Sequence, residues 1–91
     1  MTAAAKAHLS DLHALPCVVH KFVYAKPQES PTVAHHLESV RDANSDYAAV
    51  SICDDCHKML HGMSRRGFER FTKLTELDLL ALTIRAMKES T

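Results

Sequence analysis

Apolar residues at helical spacing predict a helix at each end of the chain. The segment AAAKAHLSDLHAL, residues 3–15, is rich in alanine and carries leucines at three-residue spacing. A second helix is expected over about residues 76–89, where Thr75 and Asp78 have the spacing of a capping box. The apolar stripe expected to bury this helix consists of Leu77, Leu80, Ile84 and Met87.

Between the two helices, segments of extended type alternate with turns. CVVHKFVYA (17–25) is rich in β-branched and aromatic residues, and TVAHHL (32–37) follows a turn bracketed by prolines, so both are expected to be extended. A polar loop and the apolar run VSIC then lead into DDCHKMLH, whose acidic first turn suits the start of a helix. Gly62 is expected to end that helix. The pattern predicts an α+β fold.

Length and composition are those of one small globular domain. The chain has 91 residues, of which 46% are apolar and 24% charged, so disorder is excluded and one domain is expected over 1–91 with its core at about 15–74. No apolar run approaches the roughly 20 residues that cross a bilayer, and the N-terminus lacks the order of a signal peptide. We therefore expect an intracellular, cytoplasmic protein with no membrane partner.

The net charge does not indicate a nucleic-acid-binding protein. Lys and Arg together number 11, and so do Asp and Glu. Any such function must therefore rest on a local basic cluster, which comprises Arg65, Arg66, Arg70 and Lys73. This cluster is either a solvated helix face or a surface that contacts phosphates.

The cysteines indicate a metal site. Three cysteines do not suit a disulfide framework, and in a reducing compartment thiolates serve as metal ligands instead. Cys17 and His20 are separated by two residues, as are Cys53 and Cys56. This spacing aims paired side chains at one tetrahedral centre, so the four residues predict a structural zinc site. The alternative is that Cys17 and Cys53 are merely small buried residues.

Two further histidines indicate a second centre. His57 and His61 are four residues apart on the predicted helix and share a face, whereas Cys56 is turned by about 100° from His57. One helix can therefore provide ligands to two sites. Two imidazoles leave a divalent ion short of ligands, and His35 and His36 are the only histidines left outside the first helix and the Cys17 pair.

The order of these segments resembles the HNH, or ββα-metal, endonucleases in their zinc-stapled form. It runs from C-x2-H through TVAHHL and a polar loop ending at Asp46 to VSICDDCHKMLHG. The continuations HGMSRRGFERF and TELDLLALTI are similar to short phage and prophage HNH proteins related to the phage RecA-dependent nuclease family, over roughly Leu15 to Ile84. The resemblance implies a small ββα-metal core with a structural zinc, flanked by the two terminal helices, in a phage- or prophage-encoded protein.

The resemblance also implies an activity and two sets of ligands. The protein would be a metal-dependent endonuclease that hydrolyses DNA phosphodiester bonds, by nicking or by double-strand cleavage. The catalytic ion would be bound by His35, His57 and His61. The structural zinc, which would clamp a hairpin to the helix, would be bound by Cys17, His20, Cys53 and Cys56. The family usually has a second cysteine where this chain has His20, so the fourth zinc ligand is a departure from the pattern.

His36 is the general base that the resemblance implies, because an imidazole can accept a proton from water at neutral pH. The Asn that gives the motif its middle letter has no clean match in this chain, so either Asp46 or Asn44 would orient His36. Asp46 is preferred. Its alternative role is that of a turn cap. Neighbouring residues of a regular strand point to opposite faces, so the roles of His35 and His36 require a bend or bulge between them. A straight strand would count against one of the two roles.

The implied cofactors and partners follow from the same ligands. Three imidazoles favour zinc, nickel, cobalt or manganese over magnesium, and the catalytic ion is left open among Zn²⁺, Ni²⁺, Mn²⁺ and Mg²⁺. The basic cluster would bind DNA phosphates without recognising the base sequence. A recombination or phage protein is a further expected partner. The main alternative is a non-catalytic zinc-binding module that binds DNA or protein. Another is a single-zinc protein in which His57 replaces His20.

Overall fold

The fold is built on two short antiparallel strands with helices packed around them. The computed structural model describes residues 1–90. In chain order the elements are helix α1 (Ala3–His13), a single π-helical turn (His20–Tyr24), strand β1 (Thr32–His36), strand β2 (Ala49–Cys53), helix α2 (Asp54–Thr72) and helix α3 (Glu76–Glu89). The predicted α+β class is confirmed. Within residues 1–90, no helix has both the length and the apolar character needed to cross a membrane.

Both terminal helices begin at a side-chain cap. Thr2 Oγ1 accepts a hydrogen bond from the N–H of Ala5 at 3.0 Å, and α1 ends at His13 rather than at residue 15. At α3, Thr75 Oγ1 accepts from the N–H of Asp78 at 3.1 Å, and the Asp78 carboxylate accepts from the N–H of Thr75 at 2.9 Å. The predicted capping box is confirmed.

The buried face of α3 is only in part the predicted one. Leu80 and Met87 are half-buried against the core, whereas Leu77 is 74% exposed and Ile84 is 48% exposed. The fully buried residues of this helix are Leu79, Thr83 and Ala86. The prediction is wrong for Leu77 and Ile84 because α3 is apolar on two sides, and a hydrogen bond from the N–H of Ser51 on β2 to Thr83 Oγ1 at 3.2 Å selects the side that carries Thr83.

Residues 17–25 are helical rather than extended, so that prediction is wrong as well. The N–H of Lys21 donates to the carbonyl of Cys17 at 2.9 Å, and the turn closes at Ala25, which has a left-handed backbone. Three consecutive residues here are fully buried, Cys17, Val18 and Val19. A strand would have turned every second side chain outward, whereas one helical turn buries all three and keeps His20 beside Cys17.

The sheet places the start of α2 against the beginning of β1. The strands pair in continuous register from Thr32 opposite Cys53 to His36 opposite Ala49. The N–H of Asp54 donates to the carbonyl of Pro31 at 2.9 Å, which ties the first residue of α2 to the beginning of β1. Every residue of β2 is buried. The expected hairpin therefore forms from β1 and β2, and residues 17–25 take no part in it.

Helix α2 is interrupted at Ser64 and not at Gly62, where the sequence predicted its end. Ser64 has φ 68° and ψ 165°, a backbone conformation that is close to exclusive to glycine. Its Oγ accepts from the N–H of Gly67 at 3.3 Å and so caps the second half of the helix. The break falls directly after the turn that carries His61, and it changes the course of the chain next to that side chain.

Ser64→Gly is expected to stabilise the protein by about 1 kcal/mol, because it relieves a strain of about 1–3 kcal/mol and loses only a few tenths as a helix cap. Ser64→Ala is the matched control: it keeps the strain, loses the cap and should destabilise by about 1 kcal/mol. Urea unfolding of the three proteins measures both changes. A Ser64→Gly variant less stable than the wild type would contradict the strain at this position.

Candidate metal centres

The first candidate centre joins three thiols and one imidazole. Its members are Cys17, His20, Cys53 and Cys56, whose ligand atoms all lie within 4.8 Å of one another. The three cysteines are buried, and Cys53 and Cys56 flank the start of α2, where Cys53 Sγ accepts from the N–H of Cys56 at 3.4 Å. The ring atom His20 Nδ1 is also buried and has no hydrogen-bond partner within the described chain. An ion bound to these atoms would satisfy that nitrogen, so the residues fit a tetrahedral metal of the zinc type.

The thiols of this centre are electrostatically coupled. Cys17 Sγ and Cys56 Sγ are 3.9 Å apart. A hydrogen bond from the Cys56 thiol lowers the pKa of Cys17 to about 5, against the opposing effect of burial. The same shared proton and burial raise the pKa of Cys56. Of the two thiols, that of Cys17 is the more readily ionised, and a bound cation would displace the remaining protons.

The second candidate centre consists of three imidazoles. Its members are His35 from β1 and His57 and His61 from α2, with ligand nitrogens within 4.8 Å of one another. The Nε2 atoms of His57 and His61 are 2.9 Å apart. His35 is 8% exposed, whereas His61 is exposed, so the cluster is closed towards the sheet and open towards solvent. Three protein ligands with one open side are typical of a catalytic ion, whereas a closed set of four is typical of a structural one.

Helix α2 contributes to both centres from adjacent positions. Cys56 belongs to the first cluster and His57 to the second. The angular offset between neighbouring helix residues accounts for this division. The single-zinc alternative, in which His57 takes the place of His20, does not match the structure, because His20 groups with the cysteines and His57 with the other histidines.

Two imidazoles of the second centre, those of His35 and His57, favour the neutral form that metal binding requires. Burial is the main reason that the pKa of His35 falls to about 4, with a further contribution from His57 and His61, while Glu76 and Glu38 oppose the shift. Burial followed by the proximity of His61 also lowers the pKa of His57. Protons therefore compete with a metal for the nitrogens of His35 and His57 only at a lower pH than they do for exposed histidines.

Nickel binding at the three-histidine centre is expected to persist below pH 6.5. Three histidines with a pKa of about 6.5 would together lose roughly 170-fold in affinity between pH 6.5 and 5.5, about 5.5-fold each. Because the pKa values of His35 and His57 are lowered, the expected loss is much smaller, about tenfold or less. Calorimetric titration of Ni²⁺ at the two pH values, into protein that carries zinc only at the cysteine centre, measures this change, and a loss of roughly a hundredfold or more would contradict it.

His36 contacts the residue that the sequence favoured as its partner. His36 Nε2 and Asp46 Oδ1 are 3.0 Å apart. A carboxylate can only accept, so Nε2 carries the proton and Nδ1 is left free to accept one. Asn44 lies in the turn instead, where its N–H donates to Asp42 Oδ1 at 2.8 Å. The side chain that caps this turn is therefore Asp42, and Asp46 orients His36.

The bend or bulge expected between His35 and His36 is absent from the structure, and that prediction is wrong. The pairing with β2 is continuous through His36 and extends to Leu37, whose N–H donates to the carbonyl of Ala48 at 2.9 Å. Alternation along the straight strand turns His35 towards α2 and His36 to the opposite face. His35 belongs to the three-histidine centre, so His36 points away from that centre. The straight strand therefore counts against a base role for His36.

All four side chains of the basic cluster are exposed, and one of them is paired. Arg65 Nη1 lies 3.2 Å from Glu76 Oε1, and Glu76 is largely buried beside the second centre. Arg66 and Arg70 are one turn apart in α2, and Lys73 is the residue that ends this helix. Arg66, Arg70 and Lys73 can therefore contact phosphates from one end of α2. Arg65 is thus less available for DNA than the sequence suggested.

Glu76 is a site residue that sequence reasoning missed. Its carboxylate accepts from Arg65 and from the hydroxyl of Ser39 at 3.3 Å, and its charge acts on His35. In the sequence it is only an acidic residue in the first turn of α3, which is a common helix-start feature. Nothing in the sequence connects it to histidines fifteen or more positions away, because the contact exists only through the packing of α3.

No protein family, curated protein or solved structure matches this chain. The chemistry of the protein must therefore be argued from its own side chains. Two clusters of Cys and His could each hold a metal ion, and the composition of the first is compatible with zinc.

Proposed function

We propose that the protein is a metal-dependent endonuclease of the HNH type that hydrolyses phosphodiester bonds in DNA, by nicking or by double-strand cleavage. The observation that carries this proposal is the three-histidine cluster, which has one open side and lies apart from the cluster of cysteines. A structural zinc would account for the first cluster, whereas a second set of three ligands open to solvent is typical of an ion that meets a substrate.

The topology supports the same proposal. The cluster takes one ligand from β1 and two from α2, which directly follows β2 in the chain. This order of ligands agrees with the ββα-metal arrangement that the sequence resemblance implies, in which the Cys3His centre would hold residues 17–20 against the start of α2. Cytoplasmic, phage or prophage origin and a recombination partner belong to the proposal on the resemblance alone.

The chemistry is divided between the bound ion and the side chains. A divalent ion at this centre would supply Lewis-acid stabilisation of the negative charge that develops on the phosphate and on the leaving oxygen. His35, His57 and His61 would hold this ion, and the solvent side of the cluster would be open to the phosphate. Arg66, Arg70 and Lys73 would bind neighbouring phosphates without reading the sequence.

A base role for His36 requires the substrate to pass over the edge of the sheet. β1 pairs with β2 on one side, and on its other side His13 of α1 lies 3.1 Å from the carbonyl oxygen of Thr32, so the substrate would have to pass at the end of the strand that carries His36. A phosphate at that end would have the ion on one face of β1 and His36 on the other. Asp46 leaves His36 Nδ1 free to accept the proton of the attacking water.

The straight strand favours a second candidate function, a non-catalytic zinc-binding module that binds DNA or protein. In that case His36 has no chemical task, and its hydrogen bond to Asp46 serves only to close the loop between the strands. The three-histidine cluster would then hold an ion that crosslinks β1 to α2. The two candidates differ in whether DNA is cut.

Plasmid nicking across a series of divalent ions tests the proposal. Wild-type protein should convert supercoiled DNA to the open circle in the presence of Ni²⁺, Mn²⁺, Zn²⁺ or Mg²⁺, and His57→Ala should abolish this activity. His8→Ala is the matched control, because it removes a histidine that belongs to neither cluster. If no ion supports nicking by the wild type, or if His57→Ala cuts as well as the wild type, the endonuclease proposal fails and the module remains.

A further inference from the structure

A cavity of about 350 Å³ opens beside the three-histidine centre. His35 and His61 form one of its walls, so any occupant lies next to the ion. Its volume is at the lower end of the range of small-molecule pockets, about 300–1,000 Å³. The cavity is therefore large enough for an organic group and is more than an opening for water.

The lining of the cavity does not suit a phosphate. Its floor is apolar and includes the buried side chains of Leu60, Phe68 and Leu79. Its charged groups are Glu38, Glu69, Glu76, Arg65 and Arg66. Because Arg65 is paired with Glu76, the remaining carboxylates outnumber the remaining guanidinium group. An anion would be repelled from the interior, whereas a neutral group with N–H donors would be attracted.

We propose that this cavity binds one unpaired nucleobase with an exocyclic amine, which is cytosine, adenine or guanine, adjacent to the phosphodiester bond that is cut. This inference rests on the proposed function and specifies its substrate class as single-stranded or locally unpaired DNA. The apolar floor contacts the ring, and a carboxylate accepts from the amine, as Glu and Asp do with cytosine N4. Thymine has no such amine.

Glu69 is the principal acceptor. It is half-buried, whereas Glu38 is exposed, and Glu76 is already engaged by Arg65 and Ser39. A base in a duplex is stacked and paired and cannot enter a pocket of this kind without leaving the helix. The phosphates stay outside the cavity, near His61 and the exposed face of Arg66, Arg70 and Lys73.

Binding can be measured separately from cleavage in a His57→Ala background. His57 is not part of the cavity wall, so this substitution removes an ion ligand and leaves the cavity in place. Fluorescence anisotropy would compare labelled single-stranded oligothymidylates that carry one central dC, dA or dT. We expect the dC and dA strands to bind roughly tenfold more tightly than the dT strand, and the corresponding duplexes to bind more weakly.

Two variants assign the preference to the cavity. Glu69→Leu should remove the preference for dC and dA, whereas Glu29→Leu, which deletes an exposed carboxylate that does not line this cavity, should keep it. Leu74→Trp should reduce binding of all single strands by filling the space. Circular dichroism of each variant separates these effects from unfolding.

The outcomes separate this inference from the proposed function. Equal affinity for dC, dA and dT strands, or duplex binding as tight as single-strand binding, would overturn the nucleobase site even if the wild type nicks plasmid. A base preference that Glu69→Leu removes, in a protein that cuts no DNA with any ion, would support the site and overturn the endonuclease.

Discussion

Cys56→Ser is expected to leave the chain without a cooperative fold. Cys56 lies at the start of α2 and shares a centre with residues of the turn that follows α1, so its thiolate connects two separate parts of the chain. A structural zinc contributes about 10–16 kcal/mol in small zinc domains, which is comparable to the whole stability of an ordinary domain, about 5–15 kcal/mol. Loss of one strong ligand should therefore remove both the zinc and the thermal unfolding transition.

His61→Ala is the control for this prediction, because it removes a ligand from the other centre at an exposed position. It should keep the far-ultraviolet circular dichroism and a cooperative melting curve. The comparison consists of the two melting curves and the zinc content of the purified variants. A Cys56→Ser protein that is zinc-free and still melts cooperatively would show that the thiols are only packed small residues.

His36→Ala is expected to reduce nicking by about 10²- to 10⁴-fold, the usual contribution of a general base. The side chain is exposed and outside both clusters, so folding and metal content should not change. The measurement is the initial rate of plasmid nicking at saturating metal, with melting temperature and metal content determined on the same samples.

Asp46→Asn provides a graded comparison for His36→Ala. The asparagine oxygen can still accept from His36 Nε2, so the orientation is kept while the negative charge is lost, and the rate should fall by much less than in His36→Ala. Nicking by His36→Ala at the wild-type rate would exclude the base role and agree with the straight strand between His35 and His36. The ion bound at the three-histidine centre would then account for catalysis without a side-chain base.

The features that the sequence predicts well are those fixed by residues a few positions apart. The Thr75 and Asp78 capping box closes through bonds between residues three apart, and the pairing of His57 with His61 follows from one helical turn. The Cys53 and Cys56 pair depends in the same way on the geometry of a helix start. Each of these needs no knowledge of the rest of the fold.

The wrong predictions concern segments whose conformation is set by contacts with distant parts of the chain. Residues 17–25 have the composition of a strand, but burial of consecutive side chains and the bond from the N–H of Cys17 to Gln28 Oε1 at 2.7 Å favour a helical turn. The rotation of α3 is set by Thr83 against β2. The break at Ser64 has no signal, because serine disfavours the backbone conformation that it adopts there.

The number of metal ions bound to each folded chain is the most direct measurement of the two-centre arrangement. The protein is reconstituted with excess zinc, and loosely bound ions are removed. Inductively coupled plasma mass spectrometry, together with the protein concentration, should then give two zinc ions per chain for the wild type and one for His57→Ala. One ion in the wild type, or no difference between the two proteins, would contradict a second centre at His35, His57 and His61.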